Sequence, residues 1–158
     1  DYYELYYSRT KIYTESVLEK LAQVYDIMVV RIRVPLDNRP HPKNILTKLL
    51  SFKKVIDVPN SVTYIPDFVK ALHHLIKKNA KGIYNIALRD GLYYKDLLER
   101  YNAGTSKKHA YEMIKLANLE LKRTNLILST QKLEQSGFKV RSSQATLDEC
   151  MQEYANHS

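Results

Sequence analysis

The sequence predicts an α/β chain built on parallel strands. Two runs, residues 27–34 and 83–88, are β-branched and mostly apolar at successive positions. That pattern suits strands covered on both faces, as in a parallel sheet. Helical periodicity precedes each run, and helices alternating with apolar strands argue α/β. Two strong strands make a poor sheet, so the chain is expected to form part of a larger one.

The elements follow in order. Leu18, Leu21, Ala22 and Tyr25 recur at helical spacing, which predicts a first helix over 7–25, with Tyr7 and Lys11 on one face. The 27–34 strand comes next and Pro35 is expected to end it. After a loop rich in Pro and Asn, a short helix is expected over 44–52, then a short extended piece over 55–58. Pro66 suits a helix N-terminus. Behind it Ile65, Phe68, Val69, Leu72, Leu75 and Ile76 form an apolar stripe, Lys77, Lys78 and Lys81 sit near its negative end, and Gly82 is expected to stop it. The 83–88 strand follows, then a short helix over 94–101 stopped by Gly104. Ala110, Met113, Ile114 and Ala117 predict a helix over 107–122, before an extended 126–128 and a short helix from Ser129 to Gly137. A last helix opens at Ser142 or Ser143 and buries Leu147, Cys150, Met151 and Tyr154.

Composition narrows the function. The 158 residues are 44% apolar and 27% charged, as in a globular domain. No apolar run approaches the roughly 20 residues of a membrane helix. The opening Asp1-Tyr2-Tyr3-Glu4 has no apolar core of a secretory leader. One cysteine allows no intramolecular disulfide, and no Cys/His cluster has zinc spacing, so no metal is expected and the cytoplasm is the default compartment. The net charge of +8 admits an anionic partner. Lysines and arginines are dispersed rather than striped, however, which argues against nucleic acid. One acid-free stretch, with Arg39, Lys43, Lys48, Lys53 and Lys54, reads either as a solvated face or as the wall of a site for a phosphorylated ligand. The four glycines are scattered and assemble no phosphate-cradling loop.

Tyr7-Ser8-Arg9-Thr10-Lys11 is a Y-x-x-x-K. A lysine one turn from a tyrosine favours the phenolate, and the pair can exchange a proton with a carbonyl or hydroxyl oxygen. The motif is weak alone: 13 tyrosines among this many lysines give one or two matches by chance, and Tyr111/Lys115 is a second. Position separates them. Tyr7/Lys11 opens a helix that feeds a parallel-type strand, whereas Tyr111 reads as ordinary packing in the 107–122 helix.

Other segments fall in order around the first pair: Arg31-Ile-Arg33-Val-Pro35, Asn44-Ile-Leu-Thr-Lys48, Val55-Ile-Asp-Val-Pro59-Asn60-Ser61 and Gly82-Ile-Tyr-Asn85. Together they resemble the C-terminal portion of an extended short-chain dehydrogenase/reductase, of the nucleotide-rhamnose synthase epimerase/reductase type related to dTDP-4-dehydrorhamnose reductase. The resemblance spans about residues 5–140. It implies the C-terminal part of a Rossmann-type parallel sheet with a small, mostly helical substrate-binding subdomain. Residues 1–35 would end the dinucleotide-binding domain, and 36–158 would be mainly substrate-binding, with strand 83–88 returning to the sheet.

The resemblance also implies chemistry. Tyr7 would protonate the sugar C4 oxygen as hydride arrives from NADPH (or NADH), and Lys11 would hold the nicotinamide ribose. Val34 and Pro35 would lie near the cofactor, with Arg33, Asn44 and Lys48 near a nucleotide-sugar substrate. Lys48 matches the lysine of the family's epimerisation Cys/Lys pair. That family's cysteine precedes Y-x-x-x-K, as do its glycine-rich loop and catalytic Ser/Thr; Cys150 is no substitute for the cysteine. The chain is thus expected to be an excerpt or a truncated relative that does not by itself bind NADPH in the family's way. A homodimer is compatible with the resemblance. The rival readings are a 4-keto reductase without epimerase activity and a non-catalytic binding or regulatory relative.

Overall fold

The structure, a computed structural model, describes residues 2–56, 58–106, 108–115 and 126–155. Helix α1 (Tyr2–Leu21) leads into strand β1 (Met28–Ile32). Strand β6 (Gly82–Ile86) pairs with β1 in parallel, from Met28 opposite Gly82 to Ile32 opposite Ile86. Both predicted strands are therefore present and paired with each other. The parallel sense requires a long crossover between them.

The crossover carries small ladders. Pro35 does not simply end β1: Pro35–Leu36 is itself a strand, β2, parallel to β5 (Thr63–Tyr64). Proline is tolerated there because it opens the strand. Between them lie helix α2 (Ile45–Leu49), β3 (Lys54–Ile56) and β4 (Pro59–Asn60). Helix α3 (Ile65–Lys77) has a proline in its first turn, as expected. It buries Ala71 and Leu75, but Val69 and Ile76 point to solvent, so the apolar stripe is narrower than its composition suggests.

Gly82 does not stop α3. Asn79 takes the left-handed turn at φ 49°. Its N–H donates to Ile76 O, and the N–H of Ala80 donates to Leu75 O, each at 3.0 Å. These two bonds are a Schellman closure, in which asparagine replaces the usual glycine. Gly82 has a different task. At φ 83° it opens β6 and donates to Ile27 O at 2.9 Å, a conformation that strains any residue with a Cβ.

After β6 come β7 (Leu92–Tyr93), antiparallel to β4, and helix α4 (Tyr94–Gly104), which contains Gly104 instead of ending before it. The expected 107–122 helix is not formed over its described part. Glu112–Ile114 is a strand, β8, parallel to β3, with the Glu112 N–H on Lys53 O. Met113 and Ile114 satisfy helical spacing by coincidence, and pairing with β3 overrides that local periodicity. Residues 107 and 116–125 lie outside the described ones. Helix α5 (Gln131–Gln135) runs close to the expected span, with Gly137 after it at φ 91°. Helix α6 (Ser143–Ala155) buries Leu147, Cys150 and Tyr154 as predicted. The Ser142 hydroxyl accepts from the Ala145 N–H, in the manner of a capping residue.

Two apolar clusters result. Ala71, Leu75, Tyr84, Ile86, Leu133 and Val140 lie where α3 and α5 cover one face of the β1·β6 pair. A larger cluster joins α2, α4 and α6 around Leu36, Leu46, Leu49, Leu97 and Leu98. Arg141 ties the C-terminal segment to α3. It forks onto Asp67 with two bonds of 2.8 Å, reaches Glu149 at 2.5 Å, and lies over the Tyr64 ring. Burial is the main cause that pushes the Tyr64 hydroxyl up, well above its usual pKa. Hydrogen bonding to Arg141 holds the Glu149 carboxyl below its ordinary value.

The other face of β1 is barely covered. On α1, Tyr6, Tyr7, Ile12 and Tyr13 are 70, 62, 60 and 68% exposed. Each large apolar side chain left in water forgoes about 1.5–3 kcal/mol. No helix among the described residues is long and apolar enough to cross a membrane.

Two outcomes follow from this packing. A chain limited to these 158 residues should self-associate or require covering protein, because bare strand edges and an apolar helix face favour association; a monomer with a cooperative melt, seen by sedimentation and calorimetry, would contradict this. Asp67→Asn should lower stability to urea by about 2 kcal/mol through the weakened charged hydrogen bonds to Arg141. Because the Glu149 carboxyl is depressed, its contribution is present at neutral pH and should be lost as pH falls below the ordinary carboxylate range.

Candidate functional site at the carboxyl ends of the parallel strands

An ion pair sets how α1 lies on the sheet. Arg31 on β1 donates through Nε to Glu15 Oε1 at 2.7 Å, and its Nη2 engages Glu15 Oε2 as well. These hydrogen bonds hold the Glu15 carboxyl below its usual pKa and raise the arginine. The short 22–27 connection folds the chain back, so α1 runs against β1. Helices rise about 1.5 Å and strands about 3.3 Å per residue. Four residues back along α1 and two forward along β1 are therefore each about 6 Å from the pair. Lys11 and Tyr7 lie about one and two turns back from Glu15 on α1, and Arg33 follows Arg31 by two residues.

Tyr7 and Lys11 do share a face: the Lys11 Nζ is 5.4 Å from the centre of the Tyr7 ring. Both are exposed. The second motif fails structurally. Tyr111 and Lys115 flank strand β8, where residues four apart are about 13 Å from each other. Tyr111 packs at the edge of the larger cluster and stacks on His109, so its packing role holds although its helix does not.

Beyond Ile32 the two parallel strands part. Arg33, Val34 and Pro35 leave the β1·β6 ladder and enter β2. Thr63 occupies the fork, fully buried. Its hydroxyl donates to Ile86 O at 2.6 Å and accepts from the Arg33 N–H at 3.0 Å. Its own N–H donates to Val34 O at 3.0 Å. In open α/β sheets ligands bind outside such carboxyl ends. Thr63 escaped the sequence reading, although a polar residue between Val62 and Tyr64 in a buried strand was the available signal.

Asn44 and Lys48 sit on α2. Asn44 is 2% exposed and caps the helix, its Oδ1 accepting from the Leu46 N–H at 3.1 Å. Its Nδ2 donates to Asp37 O and Arg39 O, both at 2.8 Å, which shapes the loop before the helix. Thr47 Oγ1 lies 2.9 Å from the Tyr154 hydroxyl on α6. Lys48 is exposed. Cys150, far along the chain, is buried beside Asp37 O, and burial pushes its thiol up to about 12. A thiol so shifted is a poor nucleophile.

The other matched segments act as fasteners. Ser61 donates its N–H to Leu126 O at 3.0 Å and accepts from the Leu128 N–H at 2.7 Å. Asn85 donates to Ser129 O at 2.8 Å. P-N-S and the Asn85 motif thus hold one segment, 126–129, against the sheet.

No family model matches the chain. The bifunctional dTDP-4-dehydrorhamnose 3,5-epimerase/dTDP-4-dehydrorhamnose reductase of Arabidopsis thaliana is 31% identical over 97 residues, covering 61% of this chain and 31% of that protein. Over that stretch the chain is similar in sequence to nucleotide-rhamnose enzymes. The L780 UDP-rhamnose synthase of Acanthamoeba polyphaga mimivirus superposes with a TM-score of 0.70 at 22% identity, over 78% of this chain and 45% of that one. RMD from Pseudomonas aeruginosa, solved in complex with NADPH, gives 0.64 at 15% identity over 96% and 56%. At these identities the structures establish the Rossmann-type fold. The chain spans about a third of the Arabidopsis relative's length and under half of the mimivirus structure.

Proposed function

We propose that these residues carry acid–base machinery of an NADPH-dependent 3,5-epimerase/4-keto reductase. The reaction would convert a nucleotide-4-keto-6-deoxyglucose, UDP- or dTDP-linked, to nucleotide-L-rhamnose in the cytoplasm. The observation that supports the reading is the Glu15–Arg31 pair, from which we infer that Tyr7 and Lys11 lie towards the same end of the sheet as Arg33, Val34 and Pro35.

A reduced nicotinamide, when bound, supplies the hydride. The residues present suit part of that cofactor: a phenol and an ammonium on one exposed helix face, beside the carboxyl ends of parallel strands. Lys11 would hold the ribose hydroxyls, with Val34 and Pro35 beside it. The four scattered glycines offer no cradle for the pyrophosphate. Tyr7 gives its hydroxyl proton to the sugar C4 oxygen as that oxygen gains charge, and Lys11 stabilises the phenolate left behind. Arg33 and Lys48 face the nucleotide sugar. Asn44 acts on it through the loop that it shapes. Residues 1–35 would end the dinucleotide-binding domain, and 36–158 would mainly serve the substrate.

Lys48 separates two readings. Epimerisation removes the carbon-bound protons beside the ketone and returns protons on the opposite face. In the preferred reading Lys48 is one of the two groups that do so, opposite a cysteine that precedes Y-x-x-x-K in this family. The exposure of Lys48 favours the rival, a 4-keto reductase without epimerase activity.

In the protein expressed from its full coding sequence, Tyr7→Phe should lower the rate of keto-sugar reduction by roughly 10² to 10⁴. Tyr111→Phe should leave it close to parental, and near-normal reduction by the Tyr7 variant would end the assignment. Lys48→Met should abolish solvent deuterium exchange beside the ketone while hydride transfer to an already epimerised substrate largely survives. Equal deuterium incorporation by variant and parent would remove Lys48 from the pair, and a parent that incorporates none would favour the simple reductase.

A further inference from the structure

We infer that Thr63 is a positioning residue for that site: its hydroxyl sets where the Arg33–Val34–Pro35 backbone leaves the parallel sheet. The inference rests on the proposed reading of the site. In a continuous parallel ladder, strand residues past Ile32 and Ile86 would go on pairing with each other. Here they part, and one hydroxyl bridges the fork. It accepts from the Arg33 N–H at 3.0 Å and donates to Ile86 O at 2.6 Å, so its donor and one acceptor position are both used. The same residue's N–H fixes Val34 O at 3.0 Å. Next to it, the Leu88 N–H on Val62 O ties the other branch to the same strand at 2.8 Å. Both arms of the fork are thus referenced to β5.

A hydroxyl in this place does what an apolar side chain of equal size cannot. Valine would fill the volume and keep the β-branched backbone preference. It would leave one buried donor and one buried acceptor without the partner that now joins them. The backbone bonds to Val34 O and from Leu88 would remain, but the direct bridge between the Arg33 N–H and Ile86 O would be lost and the spacing of the arms at Arg33 would relax. Thr63 is fully buried at the base of the fork, so its effect runs through the segment it holds. Shifts of about 1 Å in such a segment can cost on the order of 10² in rate.

The experiment uses the protein expressed from its full coding sequence, with NADPH and a UDP-linked 4-keto-6-deoxyglucose as probes. Three variants are compared: Thr63→Val, Thr63→Ser and Thr146→Val. The last removes an equally buried hydroxyl, bonded to Ser142 O at 2.9 Å on α6, away from the fork. Kinetics are referred to folded protein, with melting temperature read in parallel. Thr63→Val should raise KM for NADPH and lower kcat, for a combined loss of about tenfold to a hundredfold. Thr63→Ser should recover to within about threefold of the parent. Thr146→Val should lower the melting temperature without moving either constant. Should Thr63→Val lower only the melting temperature, or should Thr63→Ser fail to rescue, the positioning role is overturned while the reductase reading stands. A parent protein that neither binds NADPH nor reduces the keto sugar overturns the reductase reading, and this inference with it.

Discussion

The parallel pairing of β1 with β6 is the constraint on which the rest depends. Parallel neighbours cannot be joined by a tight turn, so the chain must leave at the carboxyl end of one strand and return to the amino end of the other. The amino ends are closed by the bond from the Gly82 N–H to Ile27 O. The carboxyl ends have no such closure. There the chain forks, and the connection from Ile32 to Gly82 must begin. Arg33, Val34 and Pro35 lie at that end because the chain leaves the ladder there.

The distribution of apolar contact fits the same constraint. One face of the pair is covered by α3 and α5, with Tyr84 and Ile86 buried beneath them. On the other side, Glu15 and Leu18 are the half-buried residues of α1 between Tyr6 and Leu21, and the rest of that stretch is exposed. A buried face and a bare face on one sheet are what a doubly wound fold presents when only part of its covering is considered. The helix is located by a charged contact, which specifies register better than it supplies stability: exposed ion pairs contribute only about 0–1 kcal/mol. That division matters for the site. The pair ties the helix to β1, while stability comes from the two clusters elsewhere.

Legibility in the sequence followed the range of the interactions involved. Strands 27–34 and 83–88 were readable because β-branched apolar runs carry their own signal, and α3 and α6 because proline and serine mark their starts. The signals that failed were local patterns overruled at a distance. Met113 and Ile114 have helical spacing, yet β3, nearly sixty residues away, recruits them into a strand. Gly82 looks like a helix stop, but Asn79 closes α3 first and leaves the glycine to open β6. Tyr7 and Lys11 could be paired from a four-residue spacing. The contact that ties their helix to β1 could not be read that way, because it depends on Glu15 meeting Arg31 across a turn. Thr63 was invisible for the same reason, since all its partners lie 23 to 30 residues away in sequence.

The matched segments divide into residues that hold and residues that present. In Asn44-Ile-Leu-Thr-Lys48, Asn44 caps the helix and shapes the loop, Leu46 enters the core, and Thr47 meets Tyr154 on α6. Only Ile45 and Lys48 are left, and of these the lysine is the one turned to solvent. Ser61 and the Asn85 Nδ2 likewise bond the 126–129 segment. A motif whose members mostly bind their own chain would be an expensive way to keep a surface lysine of no consequence. One capping contact, a core leucine and an interhelix hydroxyl pair all bear on a five-residue helix that could not hold its shape alone. The side chain such a scaffold delivers at a fixed place is Lys48. We propose on that ground that Lys48 acts towards a bound ligand.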